Sequence, residues 1–238
     1  MPRKLFALGS WNVEHFKDDP TRIARVVDFI QAQKVDVFGL YEVEGKHVFG
    51  ELTQRMPGWQ FHITEGSQTQ EILVGVRGGV TAFFTQRTEF KSGNNFLRPG
   101  ALLTVTVRGR DVTILFLHTK SNSAPIGLGL RDDQFTRAFD FRKTLVKAAR
   151  QRGTPAPGYL FLGDLNTMGM DYPFERAIVA EFELKKLDQD AKKAGMRRLP
   201  KNAPHTWSNG PKSKLPPADL DHLVASTDLQ FKRFGDAL

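Results

Sequence analysis

Short apolar runs that end abruptly in polar residues recur along the chain and predict a mixed α/β protein. Residues 5–13 and 35–41 have the apolar content and length of strands, and residues 159–162 form a shorter apolar run that stops at Gly163. The same pattern predicts further strands at residues 59–63, 72–76, 80–85, 101–107, 112–118 and 220–225. The chain therefore supplies enough strands for two sheets.

Helical periodicity separates many of these strands. Asp19 and Pro20 are typical of a helix start, and Ile23, Val26 and Ile30 follow at helical spacing before the pattern ends near residue 33. We predict further helices at residues 47–56, 131–151 and 172–182. No internal repeat and no long polar linker divides the chain, so we expect a single α/β domain with two packed sheets and helices outside.

Composition narrows the class of protein. Apolar residues make up 40% of the 238 residues and charged residues 25%, as in ordinary globular proteins. The absence of cysteine excludes disulfides and thiolate metal sites. We find no signal-peptide core and no apolar stretch of transmembrane length. We therefore expect a cytoplasmic protein without a membrane anchor.

The positive charge is concentrated in one segment. The chain has a formal net charge of +8. Residues 185–214 contain nine Lys or Arg and two Asp, so the rest of the chain holds 25 basic and 24 acidic residues. This segment has little periodicity. Such a patch suits a polyanion, and it equally fits a solvated loop whose lysines only aid solubility.

Polar residues suited to chemistry follow several of the predicted strands. Asp164 and Asn166 come directly after the apolar run that stops at Gly163, at the carboxyl end where open α/β sheets bind ligands. Taken alone, this tetrapeptide is also an ordinary polar turn. Other strand ends carry comparable groups: Asn12, Glu42, His118 with Lys120, Thr206 with Trp207, and Asp221 with His222.

These motifs, in this order, resemble the landmarks of the endonuclease/exonuclease/phosphatase superfamily, whose fold is DNase I-like. Trp11-Asn12 is similar to its opening Trp-Asn, and Leu40-Tyr41-Glu42 to its Leu-Gln-Glu. His118 to Ser121 is similar to its His-Leu-Lys-Ser, and Gly163 to Asn166 to its Gly-Asp-Phe-Asn. Thr206-Trp207 and Leu220-Asp221-His222 resemble its Thr-Trp and Ile-Asp-Tyr. The resemblance covers nearly the whole chain and implies a four-layer α/β/β/α sandwich.

The resemblance also implies a metal-dependent hydrolase of phosphoesters. Glu42 would hold a divalent metal with Asn12 beside it. Asp164 would orient or deprotonate the attacking water, or support a second metal. Mg²⁺ is the expected ion because it prefers carboxylates, amides and waters, with Mn²⁺ and Ca²⁺ as alternatives. Asn166 would donate a hydrogen bond to the phosphate. His118, paired with Glu71, would contact a phosphoryl oxygen or transfer a proton.

The remaining expected site residues contact substrate or orient other groups. In the family, the Asp that matches Asp221 orients a catalytic histidine that lies later in the chain. Arg98, Lys120, Thr206 and Trp207 are the expected substrate-binding residues.

One family landmark is missing from its usual place. The family ends with Ser-Asp-His before a last strand, whereas this sequence offers only Asp221-His222. That pair is either the terminal motif itself or part of the Ile-Asp-Tyr strand. We favour the second interpretation, because neighbouring residues on a strand point to opposite faces and because the last twelve residues contain no histidine. Residues 231–234 resemble only the beginning of a further strand. We therefore expect a domain that lacks its last strand and Ser-Asp-His motif and hydrolyses phosphodiesters weakly or not at all.

Three functions remain in view. The basic segment favours a nuclease that acts on nucleic acid as a monomer. A phosphatase or phospholipase of the same fold is the alternative enzyme, and a phospholipase would be expected to have an exposed apolar loop, of which the sequence shows no convincing example. The third hypothesis is a non-catalytic module that binds polyanions.

Overall fold

The computed structural model describes residues 4–232, which form ten strands, four α-helices and one 3₁₀ turn. The strands are β1 (Leu8–Phe16), β2 (Val37–Val43), β3 (Trp59–Ile63), β4 (Glu71–Arg77), β5 (Thr81–Arg87), β6 (Gly100–Val107), β7 (Arg110–His118), β8 (Gly158–Asp164), β9 (Met196–Arg198) and β10 (Asp221–Ser226). The helices are α1 (Pro20–Ala32), α2 (Val48–Arg55), α3 (Pro125–Arg152) and α4 (Ala180–Lys193), and the 3₁₀ turn is Thr88–Lys91.

The strands form two mixed sheets that pack face to face. The first sheet has the order β1-β2-β4-β3, and the second has the order β5-β6-β7-β8-β10-β9. Apolar side chains of α1 and α2 cover the outer face of the first sheet. Side chains of α3 and α4 cover the outer face of the second. A third apolar cluster lies between the sheets. The expected four-layer α/β/β/α sandwich is confirmed.

Local sequence signals explain why the early elements lie where predicted. The Asp19 carboxylate accepts hydrogen bonds from the first backbone amides of α1, and Pro20 occupies the first turn, where its missing N–H costs nothing. Ile23, Val26 and Ile30 are buried on one stripe of this helix. All seven residues of β8 are buried, because this strand lies in the middle of its sheet with helices on one face and the other sheet on the opposite face.

The expectations for residues 172–214 were wrong in two respects. Residues 172–179 form a loop, closed by an antiparallel bridge between Met170 and Ile178, and the helix begins only at Ala180. Pro173 removes a backbone donor in this loop, and the acidic first turn of α4 complements the positive end of the helix. The start of the basic segment is therefore helical. Residues 233–234, the end of the possible further strand, lie outside the described residues.

Much of the basic segment is neutralised by ion pairs. Lys186 contacts Asp132 and Asp190, at 2.6 and 2.8 Å. Lys193 also contacts Asp190. Arg198 contacts Asp188, and Lys201 contacts Asp219. Within residues 4–232, five members of the segment form no ion pair: Lys185, Lys192, Arg197, Lys212 and Lys214. The same part of the chain contains no helix with the length and apolar composition needed to cross a bilayer.

A buried arginine connects α3 to two loops that follow the sheet. Arg131 is fully buried and makes a two-pronged contact with the Glu183 carboxylate, at 2.6 and 3.0 Å. It also donates to the carbonyl oxygens of Lys120 and Asn122, after β7, and of Gly169, after β8. Each oxygen in this network accepts a hydrogen bond. The buried charge of Arg131 is therefore compensated, and the residue holds α3 and the two loops together.

We expect Arg131→Ala to lower the free energy of unfolding by about 3–5 kcal/mol, because it leaves the Glu183 carboxylate buried without a counter-charge. Urea unfolding followed by circular dichroism measures this. Arg137→Ala is the matched control, since Arg137 forms a half-exposed ion pair with Asp133 on the same helix. That control should change stability by less than about 1 kcal/mol. Equal effects of the two substitutions would contradict the structural role of Arg131.

Candidate active site

The carboxyl ends of four strands and the start of a fifth bring five polar residues together. Asn12 lies on β1, Glu42 on β2, His118 at the end of β7, Asp164 at the end of β8, and Asp221 at the start of β10. Asp164 is the register partner of His118 on one side and of Asp221 on the other. The predicted convergence of these strand ends is present in the structure.

The two sheets approach each other closely beneath these residues. Gly163 has a φ of +142°, and a Cβ at this position would lie 2.0 Å from the Leu117 carbonyl oxygen and 2.6 Å from the Tyr41 hydroxyl oxygen. Only glycine fits such a position. Tyr41, which replaces the glutamine of the family motif, is buried, and its hydroxyl contacts Ser10 and the carbonyl of Leu162. The site therefore has a rigid floor that spans both sheets.

Asn12 bridges the two carboxylates at the centre of the cluster. Its amide nitrogen donates to Glu42 Oε1 at 3.0 Å and to Asp164 Oδ2 at 2.8 Å. The same two oxygens lie 3.8 and 3.7 Å from His118 Nε2. The Asn12 amide oxygen points elsewhere and accepts from the Glu14 amide at 2.9 Å. To serve as the expected metal ligand, this amide would have to turn its oxygen toward the carboxylates.

The cluster fits a divalent cation. Glu42, His118 and Asp164 each offer one ligand atom, and these atoms lie within 4.8 Å of one another. Two carboxylate oxygens close together suit a hard cation such as Mg²⁺, which fills its remaining positions with water. The donor set alone does not distinguish Mg²⁺ from Mn²⁺.

Burial and mutual repulsion govern the protonation of these acids. Burial, followed by the charges of Asp221 and Glu42, raises the pKa of Asp164 to about 7, although hydrogen bonds from Asn12 and the Asn166 amide oppose this. Burial also raises the pKa of Asp221. Burial, with a smaller effect of Arg98, lowers the pKa of His118 well below its usual value. His118 is therefore neutral near pH 7.

Two nitrogen atoms near the cluster are buried without a hydrogen-bond partner within residues 4–232. They are Nε of Arg98 and Nδ1 of His118. Arg98 feels the charges of Glu42 and Asp164 but forms no ion pair within 4.0 Å of a described carboxylate. Burial lowers the pKa of Arg98. A buried guanidinium nitrogen without an acceptor is costly, so Arg98 marks a place where an anion would be stabilised.

The expected pairing of Glu71 with His118 is wrong for this structure. The Glu71 carboxylate accepts from the Thr64 hydroxyl at 2.6 Å and from the Gln68 amide at 2.8 and 3.0 Å. The acids nearest to His118 are instead Glu42 and Asp164. Burial raises the pKa of Glu71, and its neighbours already satisfy the carboxylate without the histidine.

The other expected site residues divide into two groups. Asn166 is buried, with a left-handed φ of +47°, and its side-chain amide donates to the Thr119 carbonyl at 3.2 Å. Lys120 lies in the loop that follows His118 at the end of β7 and is partly buried. Thr206 and Trp207 lie near the start of β10. The Thr206 hydroxyl accepts from the Asp221 amide at 2.9 Å, and Trp207 is about 38% exposed. Thr206 is thus held in a structural contact, whereas Trp207 is accessible.

His222 points away from the cluster. Its Nε2 lies 2.7 Å from the Thr167 hydroxyl and 3.1 Å from the Asp219 carbonyl oxygen, and its Nδ1 lies 3.3 Å from Lys201 Nζ. Burial lowers the pKa of His222 to about 4. Asp221, its neighbour on β10, faces Asp164. This arrangement agrees with the interpretation of Asp221-His222 as a strand segment.

The sequence matches the Endonuclease/Exonuclease/phosphatase family over residues 9–236. The chain belongs to this family. The named activities of the family all break phosphate esters, so the coarse class of this member is phosphoester hydrolase. The sequence matches no curated protein with significance.

Several solved structures share this fold at low sequence identity. Truncated TDP2 from Caenorhabditis elegans superposes with a TM-score of 0.70 at 16% identity, over 94% of this chain and 85% of that one. TDP2 from D. rerio in complex with a single-strand DNA product gives 0.59 at 15% identity, over 91% and 82%. ANGEL2, a 2′,3′-cyclic phosphatase in complex with adenosine-2′,3′-vanadate, gives 0.52 at 11% identity, over 85% and 73%.

Residues that the sequence did not single out complete this member's site. The Glu42 carboxylate accepts from the His15 backbone amide at 3.0 Å and from the Gln70 side chain at 3.1 Å. The His15 ring, which is largely exposed, contacts Glu44 at 2.5 Å, so this histidine lies at the border of the site. Gln70 directly precedes Glu71 at the start of β4, and its position at a strand end is the only signal that could have indicated it.

We expect Asp164→Asn to stabilise the metal-free protein increasingly as the pH rises. A carboxyl group whose folded-state pKa is raised contributes stability at low pH and loses it as the pH approaches that pKa, here about 7. The difference in unfolding free energy between variant and wild type should therefore change by about 2–4 kcal/mol between pH 4 and pH 8 in the variant's favour.

Urea unfolding in the presence of a chelator measures this difference at each pH. Asp140→Asn is the control, because Asp140 is exposed on α3 and its substitution changes the net charge equally. A difference for Asp164→Asn that stays constant from pH 4 to pH 8 would contradict the raised pKa.

Proposed function

We propose that this protein is a metal-dependent phosphodiesterase that cleaves nucleic acid by direct attack of water. One observation carries the proposal: two carboxylates suited to a cation lie near buried nitrogens suited to an anion. The Glu42 and Asp164 carboxylates approach the same point, and the unpartnered nitrogens of Arg98 and His118 are buried near it. A phosphate ester that is bound through a metal on one side needs such donors on the other.

The residues divide the chemistry among them. Glu42 and Asp164 would hold the metal, which when bound supplies charge stabilisation at the phosphoryl oxygens. In the metal-free protein the pKa of Asp164 is about 7. Beside a bound cation this carboxyl group would be ionised, and it would orient the attacking water. Arg98 would neutralise a phosphoryl oxygen, and neutral His118 would donate a hydrogen bond to another. Asn166 would orient the phosphate through the amide hydrogen that is not used by Thr119.

Protonation of the leaving oxygen is the weak step of this arrangement. His222 is engaged by Thr167 and Lys201, and within residues 4–232 the metal-ligand cluster contains no histidine other than His118. Asp221 lies beside Asp164 without a histidine to orient. We therefore expect slow turnover, in which substrates with good leaving groups are cleaved faster than substrates with poor ones.

Nucleic acid is the substrate class that the structure supports best. The chain carries a formal charge of +8, and phosphate neutralisation dominates binding to nucleic acid. The superposable TDP2 structure holds a single-strand DNA product. The ion pairs of the basic segment weaken the sequence argument, but four lysines of the segment still form no ion pair within residues 4–232.

A phospholipase is the second candidate, because the structure contains the exposed apolar loop that such an enzyme would be expected to have. Phe174 is 84% exposed in the loop after β8, and Tyr172 packs against it with ring centroids 5.8 Å apart. Ile126, at the start of α3, is 68% exposed. Exposed apolar side chains on loops that follow the catalytic strand ends are suited to insertion into a lipid surface.

We expect the protein to cleave single-stranded DNA or RNA slowly in the presence of Mg²⁺ or Mn²⁺, and not with chelator. Glu42→Gln should lower the rate at least about 100-fold, because a ligand charge is lost at the metal. Glu51→Gln is the matched control, since Glu51 is a partly exposed acid on α2. Parallel assays with a phosphomonoester and with sphingomyelin vesicles distinguish the other candidates.

The outcomes separate the candidates cleanly. Cleavage of vesicle lipid without cleavage of oligonucleotide would transfer the proposal to the phospholipase. Absence of hydrolysis with every substrate and both metals would reject the catalytic proposal. Metal-dependent cleavage that Glu42→Gln leaves unchanged would show that the metal lies elsewhere.

A further inference from the structure

Glu42 lies opposite an irregular segment of β1. Asn12 pairs with Tyr41 and Phe16 pairs with Val43, so residues 13–15 of β1 face the single residue Glu42 of β2. Such a bulge bends a strand and redirects side chains, and bulges are frequent next to active sites. Here the bulge is directly opposite a predicted metal ligand.

Three residues at this bulge have a left-handed backbone. Glu14 and His15 both have a φ of +46°, and Glu42 has a φ of +64°. For residues with a side chain, this conformation costs about 1 kcal/mol or more each. The surrounding structure must supply interactions that hold the conformation, and a side chain from α1 supplies them.

The Arg22 guanidinium binds all three carbonyl groups of the bulge. It donates to the carbonyl oxygen of His15 at 3.1 Å, to that of Glu14 at 2.6 Å, and also to that of Val13. The Arg22 backbone amide is itself held by the Asp19 cap at the start of α1. A planar guanidinium with five donors can bind three converging carbonyls, whereas an ammonium group cannot match that geometry as well.

The bulge in turn holds Glu42. With its carbonyl bound to Arg22, His15 directs its backbone amide at Glu42 Oε2, at 3.0 Å. The Gln70 side chain reaches the same oxygen at 3.1 Å. The other oxygen, Oε1, is thereby turned toward Asn12 and His118, the side on which Asp164 lies.

We propose that Arg22 is a positioning residue for the metal site. It holds the bulge at residues 13–15, and the bulge fixes the orientation of the Glu42 carboxylate through the His15 amide. This inference rests on the proposed function, in which Glu42 binds the metal. Arg22 forms no hydrogen bond or ion pair with Glu42, His118 or Asp164 within residues 4–232, so its removal should act on the site only through the bulge and Glu42.

The first experiment measures Mn²⁺ binding by calorimetry, without substrate, for wild type, Arg22→Ala, Arg22→Lys and Arg25→Ala. Removal of a group that orients a metal ligand typically weakens metal binding about 10–100-fold. We expect this loss for Arg22→Ala and most of it for Arg22→Lys. Arg25, exposed one turn away on the same helix, is the control and should retain wild-type affinity.

A double variant tests whether Arg22 acts through Glu42. In the background of Glu42→Gln, the substitution Arg22→Ala should weaken Mn²⁺ binding by less than about threefold, because interacting positions are not additive. Full additivity of the two losses would overturn the proposal. So would Mn²⁺ affinity in Arg22→Ala equal to that of Arg25→Ala.

Amide hydrogen exchange of metal-free protein supplies a readout that does not depend on metal binding. We expect the His15 amide to exchange at least about tenfold faster in Arg22→Ala than in wild type, and unchanged in Arg25→Ala. An unchanged exchange rate of the His15 amide in Arg22→Ala would overturn the proposed role of Arg22 in holding the bulge, even if the protein binds metal. If the His15 amide exchanges faster in Arg22→Ala but the wild-type protein binds no Mn²⁺, the role of Arg22 in holding the bulge is supported and the proposed function is rejected.

Discussion

The crowding of three carboxyl groups at the junction of the two sheets is the constraint on which the site depends. Asp164 lies between Glu42, on the other sheet, and Asp221, its register partner, and all three are withdrawn from bulk water to some degree. Like charges in such a place repel strongly. The protein offsets this repulsion with the Asn12 amide between Glu42 and Asp164, and with a raised pKa at Asp164. A divalent cation would offset it more completely.

The fold maintains this crowding through a small number of rigid contacts. Gly163 and Tyr41 bring the second sheet against the first directly beneath the acids. Arg131 ties together the loops that leave β7 and β8, so the chain after His118 and the chain after Asp164 are held to the same helix. Arg22 holds the bulge opposite Glu42. Each contact depends on the specific geometry of a side chain or a glycine, which is typical of sites in which geometry limits function.

Much of the site could be predicted from the sequence because its residues follow apolar runs. Glu42, His118 and Asp164 each come at the end of a buried strand, and strand ends in this architecture meet at one edge. His15 and Arg22 could not be predicted, because a bulge interrupts the two-residue period on which strand patterns depend and because Arg22 acts across a helix–strand contact. The pairing of Glu71 with His118 came from family resemblance, and the local partners Thr64 and Gln68 displaced it.

The effective charge of the basic segment also could not be predicted from the sequence. As a linear pattern it is strongly cationic, yet Lys186 is paired with Asp132, which lies 54 residues earlier in the chain. Sequence spacing contains no information on such a contact, and the lysines of α4 also obscure the apolar stripe formed by Leu184, Leu187 and Ala191. The distribution of charge along the sequence therefore overstated the strength of this patch.

The central claim is that the acid cluster binds a divalent metal between Glu42 and Asp164. A crystal structure of the protein soaked in Mn²⁺, with anomalous difference maps, tests this most directly. The account predicts a single strong peak within about 2.0–2.4 Å of one oxygen from each of these two carboxylates. A well-soaked crystal with no peak there, or with its peak at the His15 and Glu44 pair, would contradict it.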